Sequence, residues 1–189
     1  GAVRIMGFLG LGKGPLRDKM SASWVGYTEE RLYIAVAGEL PPDGKLAAME
    51  KASQVSRRDT LYGAGGIELW IDANRWRRQD TKSSLPFVQF IGNATGAIFD
   101  KKYGIPSSPP DLAWNGDWEF ENGIYDTTDE DSPIQSETGI WVTEVSISFE
   151  ELGMDDNPVG KTIGVMVGRN WKRNRGGQMS WFLHRCAYS

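Results

Sequence analysis

Apolar and polar residues alternate along most of this chain, most regularly in Gly66-Ile67-Glu68-Leu69-Trp70-Ile71-Asp72 and Phe87-Val88-Gln89-Phe90-Ile91-Gly92-Asn93. Successive side chains of a strand point to opposite faces, so Ile67, Leu69 and Ile71 share one face and Glu68, Trp70 and Asp72 the other. The second stretch repeats this, with Val88 and Phe90 on the apolar side and Gln89, Ile91 and Asn93 opposite. Two strands of this kind predict a core face and an outward face that carries a carboxylate, two amides and an indole.

The same pattern recurs along the chain. Residues 3–9 read as a strand ended by glycines, and 20–27 and 31–37 read as a hairpin around Thr28-Glu29-Glu30. Ala94-Thr95-Gly96 turns 87–93 into 97–100, and further strands are predicted over 121–125, 139–149, 162–170 and 179–186. Phe149-Glu150-Glu151-Leu152-Gly153 reads as one helical turn stopped by glycine. The exception lies around 41–62, where Pro41-Pro42-Asp43-Gly44 is a turn, 45–54 has helical composition, and Arg57, Arg58 and Tyr62 lead into a glycine-rich hinge. Short strands at near-regular spacing with almost no helix predict an all-β protein. The expected fold is an antiparallel β-sandwich of immunoglobulin-like or jelly-roll-like type with one inserted loop-helix around 41–62.

Composition narrows the function classes. With 189 residues, 40% hydrophobic and 24% charged, the chain suits one domain over 1–189 with a substantial core. A formal charge of -4 from 21 basic and 25 acidic residues argues against a general nucleic-acid binder. No apolar run is long enough to span a membrane. One cysteine, Cys186, and one histidine, His184, exclude an internal disulfide and multi-cysteine or multi-histidine metal sites. Gly7–Lys13 imitates a phosphate loop, but Gly14 stands where a hydroxyl would hold magnesium, and Pro15 leaves no helix to open. The chain starts at Gly1 rather than Met, so it reads as a module excised from a longer multidomain protein.

With these segments placed, the chain resembles the family 9 carbohydrate-binding modules and the wider group of sugar-binding and haem-carrying sandwich domains related to them. The likeness rests on five stretches in order: Ser23–Val36, Ile67–Asp72, Gln89–Ala97, Trp141–Phe149 with Leu152-Gly153, and Ile163–Asn170 followed by Ser180-Trp181. In that family a sugar lies between two aromatic rings and is hydrogen-bonded by polar side chains of adjoining strands. The resemblance implies Glu68 as the carboxylate, Asn93 as the binding amide, Tyr62 near one sandwiching ring and Asn170 as a polar neighbour. Ile91 stands where the family has an arginine, and the segment of the second ring is nearly absent.

A sugar presents an apolar C–H face and a rim of hydroxyls, so its binder needs a flat aromatic beside fixed donors and acceptors. Tyr62, Trp70, Trp171 and Trp181 are the candidate rings, and Glu68, Gln89, Asn93 and Asn170 the candidate polar partners. Trp24 and Trp141 read as core. Two basic-aromatic clusters, 75–78 and 169–175, follow the site strands and make the expected glycan an anionic one, or else form solvated loops. The expected function is a non-catalytic module that binds a poly- or oligosaccharide and tethers a neighbouring catalytic or anchoring domain, in an extracellular, periplasmic or cell-surface setting. Structural calcium is an expectation of the family resemblance, with Asp72, Asp100, Asp126, Asp129, Asp131, Asp155 and Asp156 as acidic oxygens but no calcium-loop spacing. The alternatives are a haem carrier using Met166 or Met179 with His184, a ligand-free spacer domain, and a glycoside hydrolase with paired carboxylates.

Overall fold

A computed structural model describes residues 2–6, 9–10, 13–15, 21–40, 46, 66–73, 87–104, 109–126, 134, 136–154, 158–172 and 179–188, for 5–15 and 170–188 as backbone. Twelve strands are present among them: β1 (Val3–Met6), β2 (Leu9–Gly10), β3 (Lys13–Pro15), β4 (Ser21–Tyr27), β5 (Arg31–Glu39), β6 (Gly66–Asp72), β7 (Phe87–Asn93), β8 (Ile98–Tyr103), β9 (Trp118–Tyr125), β10 (Ile140–Ser148), β11 (Ile163–Lys172) and β12 (Met179–Tyr188). They form two antiparallel sheets, one of five strands in the order β1-β4-β5-β10-β9 and one of seven in the order β3-β2-β12-β11-β6-β7-β8. The expected all-β sandwich is the observed fold. Helical composition around 41–62 lies outside the described residues except for Leu46, which is buried in the main core.

The alternation read from the sequence decides which side chains meet between the sheets. From the five-stranded sheet come Val25, Leu32, Ile34, Val36, Trp141, Val145 and Ile147, and from the seven-stranded sheet Ile67, Leu69, Ile71, Val88, Phe90, Val165 and Val167. Each is removed from water, a favourable term of about 1.5–3 kcal/mol for a Val, Leu, Ile or Phe side chain. Trp141 is fully buried in this layer, as expected for a core residue. Trp24 is not: it lies half-buried on the outer face of the five-stranded sheet, against a smaller cluster of Ala22, Ala37, Ile134 and Ile140, with the Arg4 guanidinium 5.6 Å from its ring centre. Its neighbour across the strands is Ala35, whose parity is outward, and this overrides the ordinary preference of tryptophan for the interior.

Hairpin geometry fixes the register in both sheets. The β4–β5 hairpin turns at 28–30, where Thr28 Oγ1 accepts from the Glu30 and Arg31 backbone N–H groups. Between β7 and β8 the turn ends at Gly96, whose φ of 81° is costly for any residue with a Cβ. β8 runs three residues beyond the predicted end at Asp100, so that Phe87 pairs with Tyr103 and Gln89 with Lys101. Past β8 the chain is strapped to the sheet edge: Asp111 and Lys102 exchange backbone hydrogen bonds of 2.8 and 3.2 Å, and Asp100 Oδ2 accepts from Gly116 N at 2.7 Å and Trp118 Nε1 at 2.9 Å. The 149–154 segment is a hydrogen-bonded turn closed by Gly153 at φ 72°.

Candidate functional site

On the outward face of the seven-stranded sheet, Glu68 and Trp70 of β6 stand beside Ile91 and Gln89 of β7, and these beside Phe99 and Lys101 of β8. Glu68 is only 5% exposed. A buried carboxylate requires hydrogen-bond donors, and two converge on its Oε1: the Trp70 indole Nε1 at 2.8 Å and the Gln89 amide Nε2. The Gln89 oxygen in turn accepts from the Tyr103 hydroxyl at 3.2 Å. Four side chains of three strands are thus joined in one line, Tyr103 to Gln89 to Glu68, with Trp70 entering at the carboxylate.

Beside this line the aromatic rings form a slab. Phe87 and Tyr103 stack with centroids 4.3 Å apart, and Trp70 lies 5.5 Å from Tyr103 and 5.4 Å from Phe87. All three are half-buried, whereas Glu68, Gln89 and Lys101 are buried. The Lys101 ammonium sits 4.7 Å from the centre of the Tyr103 ring. Burial pushes the Glu68 carboxyl above its ordinary value, against the opposing pull of the Gln89 and Trp70 hydrogen bonds and of the Lys101 charge. The arrangement offers a flat apolar surface next to an acceptor whose orientation is fixed by two donors.

Asn93 reaches the same face, since its partner Gly66 has the parity of Glu68. Its Oδ1, however, accepts from Thr95 N at 3.0 Å, Thr95 Oγ1 at 2.7 Å and Ala97 N at 3.1 Å, so its carbonyl organises the β7–β8 turn. The glycosylation-like Asn93-Ala94-Thr95 sequence is this turn. Ile91, at the position of the family arginine, is fully buried with Ala97 and Phe99 in an apolar cluster.

Other expected residues are placed by register. Asn170 pairs with both Gly66 and Trp181, which puts these positions at the parity of Glu68. Trp171 pairs with Ser180 and has the opposite parity. Tyr62 lies outside the described residues, as do Arg57, Arg58 and the basic cluster 75–78. The second basic cluster loses its first member: Arg169 is 2% exposed and points between the sheets, with its guanidinium 4.6 Å from the Trp141 ring centre. Register explains this, since Arg169 pairs with the inward Ile67. Met166 pairs with Arg185 and Val167 with His184, so Met166 and His184 occupy positions of opposite parity and do not share a face, as an axial haem pair would require. Among the described residues no three His, Cys, Asp or Glu side chains gather to hold a metal ion, and 129, 131, 155 and 156 lie outside them. No described helix is long and apolar enough to cross a membrane.

Sequence reasoning missed Phe87, Lys101 and Tyr103. The signal was present: extending the β7–β8 pairing outward from the turn puts Lys101 opposite Gln89 and Tyr103 opposite Phe87.

No protein-family model matches the sequence, and no curated protein matches it. Solved structures do match the fold. A family 9 carbohydrate-binding module from Caldicellulosiruptor kristjanssonii in complex with glucose superposes with a TM-score of 0.57 at 10% identity, covering 96% of this chain and 73% of that one. The complex with cellotriose gives 0.56 at 11% identity, over 96% and 71%. A candidate carbohydrate-binding protein from Bacteroides uniformis ATCC 8492 gives 0.60 at 10% identity, over 95% and 77%. The chain is an antiparallel β-sandwich with the fold of these carbohydrate-binding modules.

Proposed function

We propose that this protein is a non-catalytic carbohydrate-binding module whose site lies on the outward face of β6, β7 and β8. The observation that carries the reading is the fixed Glu68 carboxylate, held by Trp70 and Gln89 beside the Trp70, Phe87 and Tyr103 slab. A sugar ring would lie with its C–H face on the aromatic slab and its hydroxyls towards Glu68 and the Gln89 amide. Asn93, Asn170 and Trp181 have the register positions of this face, Trp171 has the opposite parity and is left out of the centre, and Tyr62, outside the described residues, is kept in the proposed set on the resemblance alone. Among the described residues, the groups joined to Glu68 are the Gln89 amide, the Trp70 indole and the Lys101 ammonium, with the Tyr103 phenol behind the amide, a polar set suited to sugar hydroxyls.

Such a module acts by effective concentration: joined to a catalytic or anchoring domain of a secreted or cell-surface protein, it holds that domain at its polysaccharide. The test is a glycan-array screen of the isolated chain at two salt concentrations, with Glu68→Ala alongside. Binding to a defined glycan that the substitution abolishes is the expected result, and a loss at high salt identifies the glycan as anionic. No binding by folded protein to neutral or acidic glycans would overturn the reading.

A further inference from the structure

Tyr103 enters the candidate site twice, once with its ring and once with its hydroxyl. The ring stacks on Phe87, the residue directly opposite on β7, and has the Lys101 ammonium 4.7 Å from its centre. The hydroxyl reaches one step along the sheet to Gln89, which pairs with Lys101, and donates to its Oε1 at 3.2 Å. The other end of that amide, Nε2, donates to Glu68 Oε1, the same oxygen that the Trp70 indole holds at 2.8 Å. Both donors meet one carboxylate oxygen, so Oε2 is the acceptor left for a sugar hydroxyl, and its direction depends on how firmly Oε1 is held.

We propose that Tyr103 is a positioning residue of the glycan site, its hydroxyl acting through the Gln89 amide to hold the Glu68 carboxylate as an oriented acceptor. This deepens the proposed function and rests on that reading. The reason is the polarity of the amide. A carboxamide carries its acceptor and its donors on opposite ends of one plane, so an oxygen held by Tyr103 turns the NH2 towards Glu68. The reverse orientation would set Gln89 Oε1 against a carboxylate, two acceptors in contact, unless Glu68 carried a proton and donated it. The direction of the line and the charge of Glu68 are therefore linked. Gln89 is 1% exposed and Glu68 5%, and in such surroundings a hydrogen bond is strong when made and costly when left incomplete. Burial raises the Glu68 carboxyl, and the Gln89 hydrogen bond is the largest of the effects that oppose it, ahead of Trp70 and the Lys101 charge. An amide anchored by Tyr103 thus favours the ionised form, the form that accepts from a ligand hydroxyl.

Tyr103→Phe tests this, because it keeps the ring on Phe87 and removes only the hydroxyl. Glycan affinity, measured by calorimetric titration at neutral pH, should fall about 3- to 10-fold. The Glu68 carboxyl carbon, followed by NMR, should titrate at higher pH than in the unsubstituted protein. Phe87→Leu alters the slab and leaves the Tyr103–Gln89–Glu68 line in place, so it should lower affinity with the Glu68 titration unmoved. In the unsubstituted protein the Tyr103 Cζ resonance should follow the Glu68 midpoint, a readout that stands if Tyr103→Phe does not fold. An unmoved Glu68 titration in folded Tyr103→Phe, an unchanged affinity beside a shifted titration, or a Tyr103 Cζ resonance flat through the Glu68 midpoint would each overturn the inference. Absence of glycan binding by the unsubstituted protein would instead overturn the proposed function, and the two NMR readouts decide the action of Tyr103 on Glu68 without a glycan.

Discussion

The indole of Trp70 donates at 2.8 Å to the carboxylate of Glu68, its neighbour two positions back on the same strand face. One side chain thereby serves two purposes, as part of the aromatic slab and as the clamp that orients the acceptor. Glu68→Gln tests the charge without disturbing the clamp, because the amide oxygen can accept from Trp70 and Gln89 as the carboxylate does. A hydrogen bond to a charged acceptor contributes about 1.5–3 kcal/mol against about 1 for a neutral one. Glycan affinity should therefore fall about 3- to 30-fold with the fold retained, read by calorimetric titration alongside circular dichroism.

The raised Glu68 carboxyl gives stability a definite pH dependence. Its folded pKa lies above the unfolded value because burial disfavours the charged form. The folded state thus holds the proton more tightly than the unfolded state. This contribution is fully present below the unfolded value, near 4.5, and is lost as pH rises through the folded one. Glu68→Gln removes this dependence while leaving the other titrating groups in place. The Tm of the unsubstituted protein minus that of Glu68→Gln should fall as pH is raised above about 4.5 and level off once the folded carboxyl has ionised. A difference that rises over that range would show that the hydrogen bonds and Lys101 outweigh burial.

Asn93 separates a turn residue from a ligand residue. Its Oδ1 accepts three hydrogen bonds from the β7–β8 turn, so Asn93→Ala leaves the buried Ala97 N–H and the Thr95 groups without that acceptor. We expect a loss of about 1–3 kcal/mol, or a Tm lowered by about 3–10 °C. Asn93→Asp keeps the acceptor and replaces only the amide NH2. Unchanged glycan affinity in Asn93→Asp would assign Asn93 to the turn alone, and a tenfold loss at preserved Tm would place its NH2 on the ligand.

How much of this was legible depended on whether one strand sufficed to decide it. Ile67, Leu69, Ile71, Val88 and Phe90 were readable as core because alternation within a single strand determines facing. The pairing of Glu68 with the β7 amide followed from the same parity. Lys101 and Tyr103 were missed because Lys101-Lys102-Tyr103 carries no alternation of its own, and the β7–β8 register is what puts them opposite Gln89 and Phe87. Arg169 was misread for a related reason. Its sequence neighbours Asn170, Trp171 and Lys172 look like an exposed basic segment, while the Gly38 gap and the Trp141 ring that receive its guanidinium lie on the other sheet. Trp24 shows the reverse error, a large ring that parity puts outside the sandwich core.

Asp100 provides a control that separates stability from recognition. It lies on β8 at inward parity, opposite Phe90, and its Oδ2 holds Gly116 N and Trp118 Nε1, which keeps Trp118 against Phe90 with centroids 4.7 Å apart. Asp100→Ala would leave a buried backbone N–H and an indole N–H without their acceptor, at a cost of about 2–4 kcal/mol. Tm should drop by about 5–12 °C. Because Lys101 and Tyr103 point to the opposite face of the same strand, glycan affinity measured well below that Tm should stay within about twofold of the unsubstituted protein. A large loss of affinity in folded Asp100→Ala would instead place the Asp111–Trp118 strap in the recognition surface, and would move the site from the outward face of β6–β8 towards the edge of the sheet.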